Sequence, residues 1–311
     1  MSKTRFNSII QLVAKFPNEK ACLEHLKQLR WKDGIVCPHC GSERKIYTFK
    51  DNKTFKCGDC RKKFTAKVGT IFEDSPLPLQ KWFMAIYLIT AHKKGISSLQ
   101  LSRDIDVTQK TAWFMLQRLR YASKTKSFNR NLSNMVEVDE TYVGGKEKNK
   151  HASKKTSGNQ GRSTKTKTPV VGMKERDGEI RAETVEDTKS MTIKNLLVDN
   201  VVIGSKVFTD EYLSYRGIGF IYDHLYVKHN AGEYVNGIVH TNGVENFWSM
   251  LKRGIVGIYH HVTPKHLDLY LGEFTFRYNS REMSEEERFN MLLTRVQGRL
   301  QYKELTSDIK Q

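Results

Sequence analysis

Apolar residues recur at helical spacing between His240 and Lys252, which predicts an amphipathic helix in the second half of the chain. The residues at i, i+3, i+4 and i+7 form one apolar seam: Val244, Phe247, Trp248 and Leu251. Glu245 and Lys252 are seven residues apart, so they lie within about 20° of each other at the edge of this seam. An ordinary amphipathic helix with a border Glu and a snorkelling Lys explains this pattern by itself. An acid and a base on one stripe also suit a reactive site beside a core.

Helical spacing also predicts a helix over residues 18–30, capped by Asn18, and an apolar helix that follows Pro78 and stops near Gly95. Two further helices, separated by a turn at residues 104–107, form a helix-turn-helix pattern whose second helix is capped by Thr108. Such a pattern favours DNA binding through Gln109, Lys110 and Thr111 at the start of the second helix. A plain helical linker domain would have the same period.

From Met135 onwards the apolar period changes from helical to alternating. The stretches MVEVDETYVGG, TPVVGMKER and EIRAETVED predict three strands, the last two joined by a turn at Asp177-Gly178. A helix capped by Asp187-Thr188, a short strand ending at Asp210 and a strand within residues 217–235 follow. This order of elements predicts an α/β sheet with helices packed against it. Ser284 with Glu287 predicts a capping box for a last helix.

The charge of the chain indicates a polyanionic partner. The sequence has 52 Lys and Arg residues against 34 Asp and Glu, a formal net charge of +18. Nucleic acid is the leading partner, and an anionic membrane surface is the alternative. No apolar stretch predicts a signal peptide or a membrane span, so we expect a cytoplasmic protein without membrane attachment. A basic, polar insert at residues 146–167 predicts a flexible loop that stays disordered until it binds an anion.

Four of the five cysteines form two knuckles, Cys37-Pro-His-Cys40 and Cys57-Gly-Asp-Cys60. Two CxxC turns at this spacing present four thiolates to one tetrahedral ion, which predicts a structural Zn²⁺ site. The intervening residues alternate and predict a hairpin with a turn at Asp51-Asn52, so the module is a zinc ribbon. A redox pair would need only one knuckle. We expect His39 not to be a ligand and Cys22 to be a small buried residue.

Three acids stand where phosphodiester chemistry would need them: Asp139 on a strand, Asp210 at the end of a later strand and Glu245 on the following helix. Carboxylates are the ligands that Mg²⁺ prefers, and two such ions can activate an attacking oxygen and stabilise a leaving one. The alternation of strand residues argues against Glu140 as a partner of Asp139. Spacing alone does not choose between Asp210 and Glu211.

Several long motifs, in order, closely resemble the zinc-ribbon insertion-sequence transposases of bacteria, the ISXO2-like group related to the Merlin superfamily. These motifs are LRWKDG, CPHCG…CGDCRKKF, VDETYVGG, FTDEYLSY and HTNGVENFWSMLKRGIVGIYHH, and the resemblance extends over residues 16–281. It implies a DDE transposase with an RNase H-like core whose acids are Asp139, Asp210 (not Glu211) and Glu245, with Lys252 as the basic residue seven positions later.

We therefore expect a multi-domain α/β protein. The predicted parts are an N-terminal helical segment, a zinc ribbon, a helix-turn-helix-like segment, an RNase H-like catalytic domain and a C-terminal helix: 1–30, 31–66, 76–124, 133–282 and 283–311. The expected activity is binding of terminal inverted repeats, cleavage of the element ends and joining of the 3′-hydroxyls to target DNA. The expected cofactors are Zn²⁺ in the ribbon and two Mg²⁺ ions, or Mn²⁺, at the acids.

The expected partner is double-stranded DNA, bound by a homo-oligomer because two element ends must be joined together. Two rival hypotheses remain open at the level of the sequence. One is a DNA-binding regulator whose RNase H-like domain is not catalytic, and the other is a nuclease of the same fold that cuts without joining.

Overall fold

The computed structural model describes residues 5–124, 130–145, 151–155, 163–228, 232 and 235–307. The chain divides into two compact units, and the first is assembled from two separate segments, Met1–Thr125 and Glu282–Gln311. The second unit is the continuous segment Lys126–Arg281 between them. Among the described residues, no helix has both the length and the apolar character needed to cross a bilayer.

The first unit contains a small three-stranded sheet and seven helices within its described residues. The strands are β1 (Ile46–Thr48), β2 (Thr54–Cys57) and β3 (Lys63–Thr65). The helices are α1 (Ile9–Lys15), α2 (Glu19–Arg30), α3 (Leu79–Ala91), α4 (Ser98–Asp104), α5 (Gln109–Lys124), α9 (Glu285–Thr294) and α10 (Tyr302–Thr306).

The predicted ribbon hairpin is confirmed. Strand β2 pairs antiparallel with both β1 and β3. At the predicted turn, Asn52 has a φ of 53°, while Asp51 Oδ1 accepts hydrogen bonds from the N–H groups of Lys53 and Thr54, both at 2.9 Å. A side chain that bonds the backbone two and three residues ahead stabilises such a turn, which fixes the register of the hairpin.

The helical predictions for the first unit are confirmed with one shift. Asn18 Oδ1 accepts the N–H of Ala21 at 3.0 Å and caps α2, and Thr108 Oγ1 accepts the N–H of Thr111 at 3.3 Å at the start of α5. Helix α3, however, ends at Ala91, four residues before the predicted stop. Gly95 adopts a φ of 93° and closes a separate turn with His92 instead, so its left-handed conformation marks the turn and not the helix end.

Helix α9 completes the core of the first unit. Its Phe289 is fully buried and lies edge-on to Phe6 and Phe83, with ring centroids 5.3 and 5.2 Å apart. The predicted capping box is present, since Ser284 Oγ accepts the N–H of Glu287 while Glu287 Oε2 accepts the N–H of Ser284. Helix α9 is therefore part of the same core as the first helices.

The second unit is built on a five-stranded mixed sheet. Its strands are β4 (Met135–Val143), β5 (Thr168–Glu175), β6 (Ile180–Thr184), β7 (Lys206–Thr209) and β8 (Asp223–Tyr226), and its helices are α6 (Ser190–Asn200), α7 (Asn242–Gly254) and α8 (Pro264–Asn279). The strand order is β6-β5-β4-β7-β8. The three strands of the meander pair antiparallel, and the two later strands pair parallel. This mixed sheet, flanked by helices, is the RNase H-like core that the resemblance implied.

Two apolar cores cover the two faces of this sheet. One packs Val136 and Val138 of β4 against α6. The other packs Val170 of β5 against α7 and α8. All four residues of the predicted seam of α7 lie in this core: Val244, Phe247, Trp248 and Leu251. The predicted seam is therefore present, and it attaches the helix to the sheet.

Two details of the second unit differ from the sequence predictions or lie outside the described residues. Helix α6 begins at Ser190, two residues after the predicted cap, because Asp187 Oδ1 accepts the N–H of Lys189 at 3.0 Å and forms a turn before the helix. Much of the basic insert at 146–167 lies outside the described residues, which cover only 151–155 and 163–167 of it.

Candidate functional site

The centre of the candidate site is Asp139 on the central strand β4. Its Oδ2 accepts the indole N–H of Trp248 at 3.0 Å, so the side chain faces helix α7. Directly across the sheet, Asp139 pairs with Gly172 of β5. A Cβ at residue 172 would come within 2.5 Å of the Trp248 ring, so the glycine allows α7 to lie directly on the strand backbone. The helix and the acid are therefore held in direct contact.

Asp210 follows the last residue of β7 and is 8% exposed. Its Oδ1 accepts the N–H of Tyr212 at 2.9 Å. The preceding Thr209 is fully buried, and its hydroxyl donates to the Asp210 carbonyl at 2.7 Å while lying 2.9 Å from Nε2 of His224. Since β4 and β7 are parallel neighbours, the end of β7 delivers Asp210 beside Asp139, as the sequence predicted.

Glu140 was wrongly excluded by the alternation of strand residues. Single carboxylate oxygens of Asp139, Glu140 and Asp210 all lie within 4.8 Å of one another. The ladder between β4 and β7 reaches only to Glu137 and Phe208, and among the described residues no other strand pairs with this edge of β4 beyond that point. A long Glu side chain can then reach the edge from the opposite face. Its Oε2 accepts the hydroxyl of the buried Tyr215 at 2.7 Å.

Glu245 stands on the first turn of α7, outside the group of three clustered carboxylates. It is exposed, and its Oε1 accepts the hydroxyl of Thr241 at 2.8 Å. Its charge nevertheless acts on Asp139, where it contributes to the raised pKa. Lys252 is exposed in the last turn of the same helix, on the stripe that the sequence predicted.

Burial, together with the charges of Glu140, Asp210 and Glu245, raises the pKa of Asp139 from its ordinary value of 3.8 to about 7. Burial also raises the pKa of Tyr215, the hydroxyl that holds Glu140. Like charges crowded into a poorly solvated place disfavour ionisation unless a cation neutralises them. The donor set is all oxygen and acidic, which fits a hard divalent cation such as Mg²⁺ or Mn²⁺.

The four ribbon cysteines are the second group with the geometry of an ion site among the described residues. One sulfur from each of Cys37, Cys40, Cys57 and Cys60 lies within 4.8 Å of the others. The closest pairs, Cys37 with Cys60 and Cys40 with Cys57, are 3.6 and 3.7 Å apart, so no disulfide links them. Four converging thiols fit tetrahedral Zn²⁺. His39 points elsewhere, with Nε2 3.4 Å from the Lys63 carbonyl.

Comparison with protein families gives two matches along the chain. Residues 17–63 match a family model described as a transposase zinc-ribbon domain. Residues 131–279 match a model described as an ISXO2-like transposase domain. The two matched segments contain the cysteine cluster and the carboxylate cluster, respectively.

Two relatives extend these matches. A protein of the transposable element ISH50 from Halobacterium salinarum is 31% identical over 276 residues, which cover 85% of this chain and 92% of the relative. A transposase-like protein of Haemophilus influenzae is 26% identical over 117 residues, 37% of this chain and 92% of that protein.

Among solved structures, the Mos1 strand transfer complex is a remote neighbour. It has a TM-score of 0.28 and 11% sequence identity, over 71% of this chain and 76% of that one. The Mos1 transposase paired-end complex with the left transposon end gives the same TM-score, 0.28, over 72% of this chain. At such scores the likeness carries no argument about the site.

Proposed function

The chain belongs to the ISXO2-like transposase family, and we propose that it cleaves DNA at the ends of its own mobile element and joins the freed 3′-hydroxyls to target DNA. The observation that carries this proposal is the convergence of Asp139, Glu140 and Asp210, with Glu245 acting on the same site from the adjacent helix. A protein that only binds DNA has no need for several crowded carboxylates.

Asp139, Asp210 and Glu245 would hold the catalytic cations. Two Mg²⁺ or Mn²⁺ ions, when bound, supply the Lewis acidity that activates the attacking oxygen and stabilises the leaving one. Glu140 lies within reach of the same site and is held by Tyr215, so it adds negative charge that favours cation binding. Trp248 fixes the orientation of the Asp139 carboxylate through its indole N–H.

Lys252 would meet a backbone phosphate of the DNA. It is exposed two turns beyond Glu245 on the same stripe of α7, where an ammonium group can pair with a phosphate oxygen without losing much hydration. This role is consistent with the separation of the two residues, because phosphates that flank a reacting bond lie several ångströms from the metals.

The ribbon and the helix-turn-helix would bind the terminal inverted repeats. The exposed cationic side chains of the ribbon include Lys53, Lys56, Arg61, Lys62 and Lys63. Helix α5 exposes Gln109 and Lys110 at its start, where a recognition helix contacts base edges. The binding of an assembled pair of ends by a homo-oligomer is required by the reaction that we propose.

The test is strand transfer with element-end DNA, Mg²⁺ and a plasmid target. We expect Asp139→Asn and Asp210→Asn to lower cleavage by roughly two to three orders of magnitude, since metal ions supply several kcal/mol of transition-state stabilisation. Asp223→Asn is the matched control, because Asp223 is exposed on β8 and pairs only loosely with Lys206, at 4.0 Å. Cleavage by Asp139→Asn at the wild-type rate would contradict the metal assignment.

The same experiment separates the rival functions. A regulator binds end-bearing DNA without cutting it, and a nuclease cuts without joining. Binding to end DNA should weaken steeply as salt rises, because each phosphate contact releases a counterion. An affinity that does not change between low and high salt would contradict a phosphate-dominated interface.

A further inference from the structure

Glu137 carries a carboxylate that is almost completely buried, at 2% exposure, on the same face of β4 as Asp139. Its Oε2 accepts the backbone N–H groups of Gly243 and Val244, at 2.7 and 3.1 Å. Its Oε1 accepts Nε–H of Arg176 at 3.2 Å and lies 3.3 Å from Nδ1 of His240. Both oxygens are thus engaged, so Glu137 is a structural acid and not a free ligand.

Helix α7 depends on this carboxylate for its N-terminal cap. The first turn of a helix leaves N–H groups without intrahelical partners, and a side chain at the N-cap position commonly accepts them. Here the N-cap residue Thr241 makes no such bond, because its hydroxyl donates to Glu245 Oε1. Glu137 supplies the cap from the neighbouring strand, which ties the start of α7 to β4.

A second anchor lies one helical turn further on. There the indole N–H of Trp248 donates to Asp139. Trp248 lies four residues after Val244 on the helix, and Asp139 lies two residues after Glu137 on the strand. Two strand residues span about 6.6 Å, and four helix residues span about 6 Å. The two anchors therefore match in spacing along strand and helix, and Glu245 lies between them on the first turn.

The helix has little freedom to shift between these anchors. A Cβ at residue 243 would lie 2.7 Å from Oε2 of Glu137, and one at residue 172 would lie 2.9 Å from Cγ2 of Val244. Both glycines mark places where the helix backbone or its side chains touch the strands directly. A small displacement of α7 would break the hydrogen bonds of Glu137 and Asp139 together.

We propose that Glu137 is a positioning residue: by capping α7 from β4, it sets the height and rotation of the helix and so places Glu245 beside the carboxylate cluster. The inference rests on the proposed function for the role of Glu245 as a metal ligand. The position of α7 itself is independent of that role and can be measured without metal.

The first test compares Glu137→Gln with Glu175→Gln. Glu175 is a matched control, since it is a buried glutamate of the same sheet, 6% exposed, that pairs with Arg130 at 2.8 Å and not with α7. In metal-free protein, we expect Glu137→Gln to shift the amide resonances of Gly243 and Val244 and to accelerate exchange of the Trp248 indole proton. Glu175→Gln should leave all three signals unchanged.

With Mn²⁺ as the probe, Glu137→Gln should weaken binding roughly tenfold to a hundredfold, as loss of groups that orient metal ligands commonly does. Cleavage of element-end DNA should fall by a similar factor, with the affinity for DNA unchanged. Glu175→Gln should keep the wild-type Mn²⁺ affinity and cleavage rate.

Gly243→Ala provides a second route to the same contact and applies even if Glu137→Gln fails to fold. The added methyl group displaces the helix from the Glu137 carboxylate, although alanine is the better helix former. We expect the same loss of Mn²⁺ affinity and the same faster exchange of the Trp248 indole proton as in Glu137→Gln. Gly257→Ala is its control, because a Cβ there meets nothing within 4 Å.

The outcomes separate this inference from the proposed function. The positioning role would be overturned if Gly243→Ala left both the exchange rate of the Trp248 indole proton and the Mn²⁺ affinity unchanged. It would also be overturned if Glu137→Gln and Glu175→Gln changed these two quantities equally. If α7 and Mn²⁺ binding depend on Glu137 but the wild-type protein does not cut end DNA, the positioning role stands and the proposed function fails.

Discussion

The thiolate cluster and the carboxylate cluster are held by different kinds of structure. The four cysteines lie within residues 37–60, on turns beside strands of three or four residues with a small local core. The clustered carboxylates come from β4 and the end of β7, with Glu245 on α7 beside them, and two apolar cores hold those elements in place. A site made by local turns depends on its ion for folding, whereas a site made by a scaffold can exist without one.

Zinc removal should give the largest effect. We expect a zinc-selective chelator to unfold the ribbon, since structural zinc contributes about 10 kcal/mol or more to such small modules. Hydrogen exchange should become fast over residues 37–64 and stay slow in β4 and β5 of the second unit. Equal protection of the ribbon before and after chelation would contradict a structural metal, and magnesium removal is the control that should unfold neither part.

The next largest effect is the pH dependence of folding stability that Asp139 causes in the metal-free protein. The pKa of Asp139 is about 7 in the folded protein, against an ordinary value of 3.8. Well below pH 3.8 this carboxyl group is neutral in both the folded and the unfolded chain, so it does not change the free energy of unfolding. As pH rises towards 7 the unfolded chain ionises first, so folding stability falls by up to about 4 kcal/mol.

Asp139→Asn removes this penalty. The metal-free variant should therefore be more stable than the wild type at pH 8, and equally stable at pH 3.5, in urea unfolding followed by the hydrogen exchange of amides in β4 and β5. Saturating Mg²⁺ should raise the stability of the wild type and leave the variant unchanged. A stability difference that is the same at both pH values would contradict a charge effect at Asp139.

A smaller effect is expected where the scaffold is tightest. Gly172→Ala should lower the free energy of unfolding of the second unit by about 1–3 kcal/mol, the usual range for an overpacked core. The reason is the 2.5 Å approach of an added Cβ to the Trp248 ring. Gly145→Ala is the control, since nothing lies within 4 Å of a Cβ there. A stable Gly172→Ala protein with unaltered cleavage would show that α7 can move away from β5.

The smallest effect belongs to the ribbon again. His39→Ala should change ribbon stability by less than about 0.5 kcal/mol, as is usual for exposed positions, and should leave the zinc content at one ion per chain. Cys40→Ala, one position further on, should lose zinc. Metal analysis after dialysis distinguishes the two, and a loss of zinc from His39→Ala would make the histidine a ligand.

The sequence predicted those features that depend on a single element. The ribbon hairpin, the caps at Asn18 and Ser284 and the apolar seam of α7 all follow from local spacing, and each is present in the structure. The seam also predicted that Glu245 would lie at the border between core and solvent, which matches its exposure beside buried Val244.

Two features that depend on contacts between elements were missed. Alternation along β4 excluded Glu140, because it does not reveal that β7 ends early and leaves that edge of the strand open. The cap from Glu137 to α7 joins residues more than a hundred positions apart. One local signal was available: a glutamate on the helix-facing side of a buried strand needs donors, and the start of a nearby helix is a common source.

The interrupted order of the first unit has a consequence for synthesis of the chain. Phe289 completes the aromatic core around Phe6 and Phe83, yet it follows the whole of the second unit in the sequence. At about 5–20 residues per second, a ribosome needs roughly 8–30 s to make the intervening segment. During that time the helices already made have an open core, while the second unit can fold as it emerges. A chain that stops short of α9 would therefore leave the ribosome with its first unit unfinished and prone to aggregation or proteolysis.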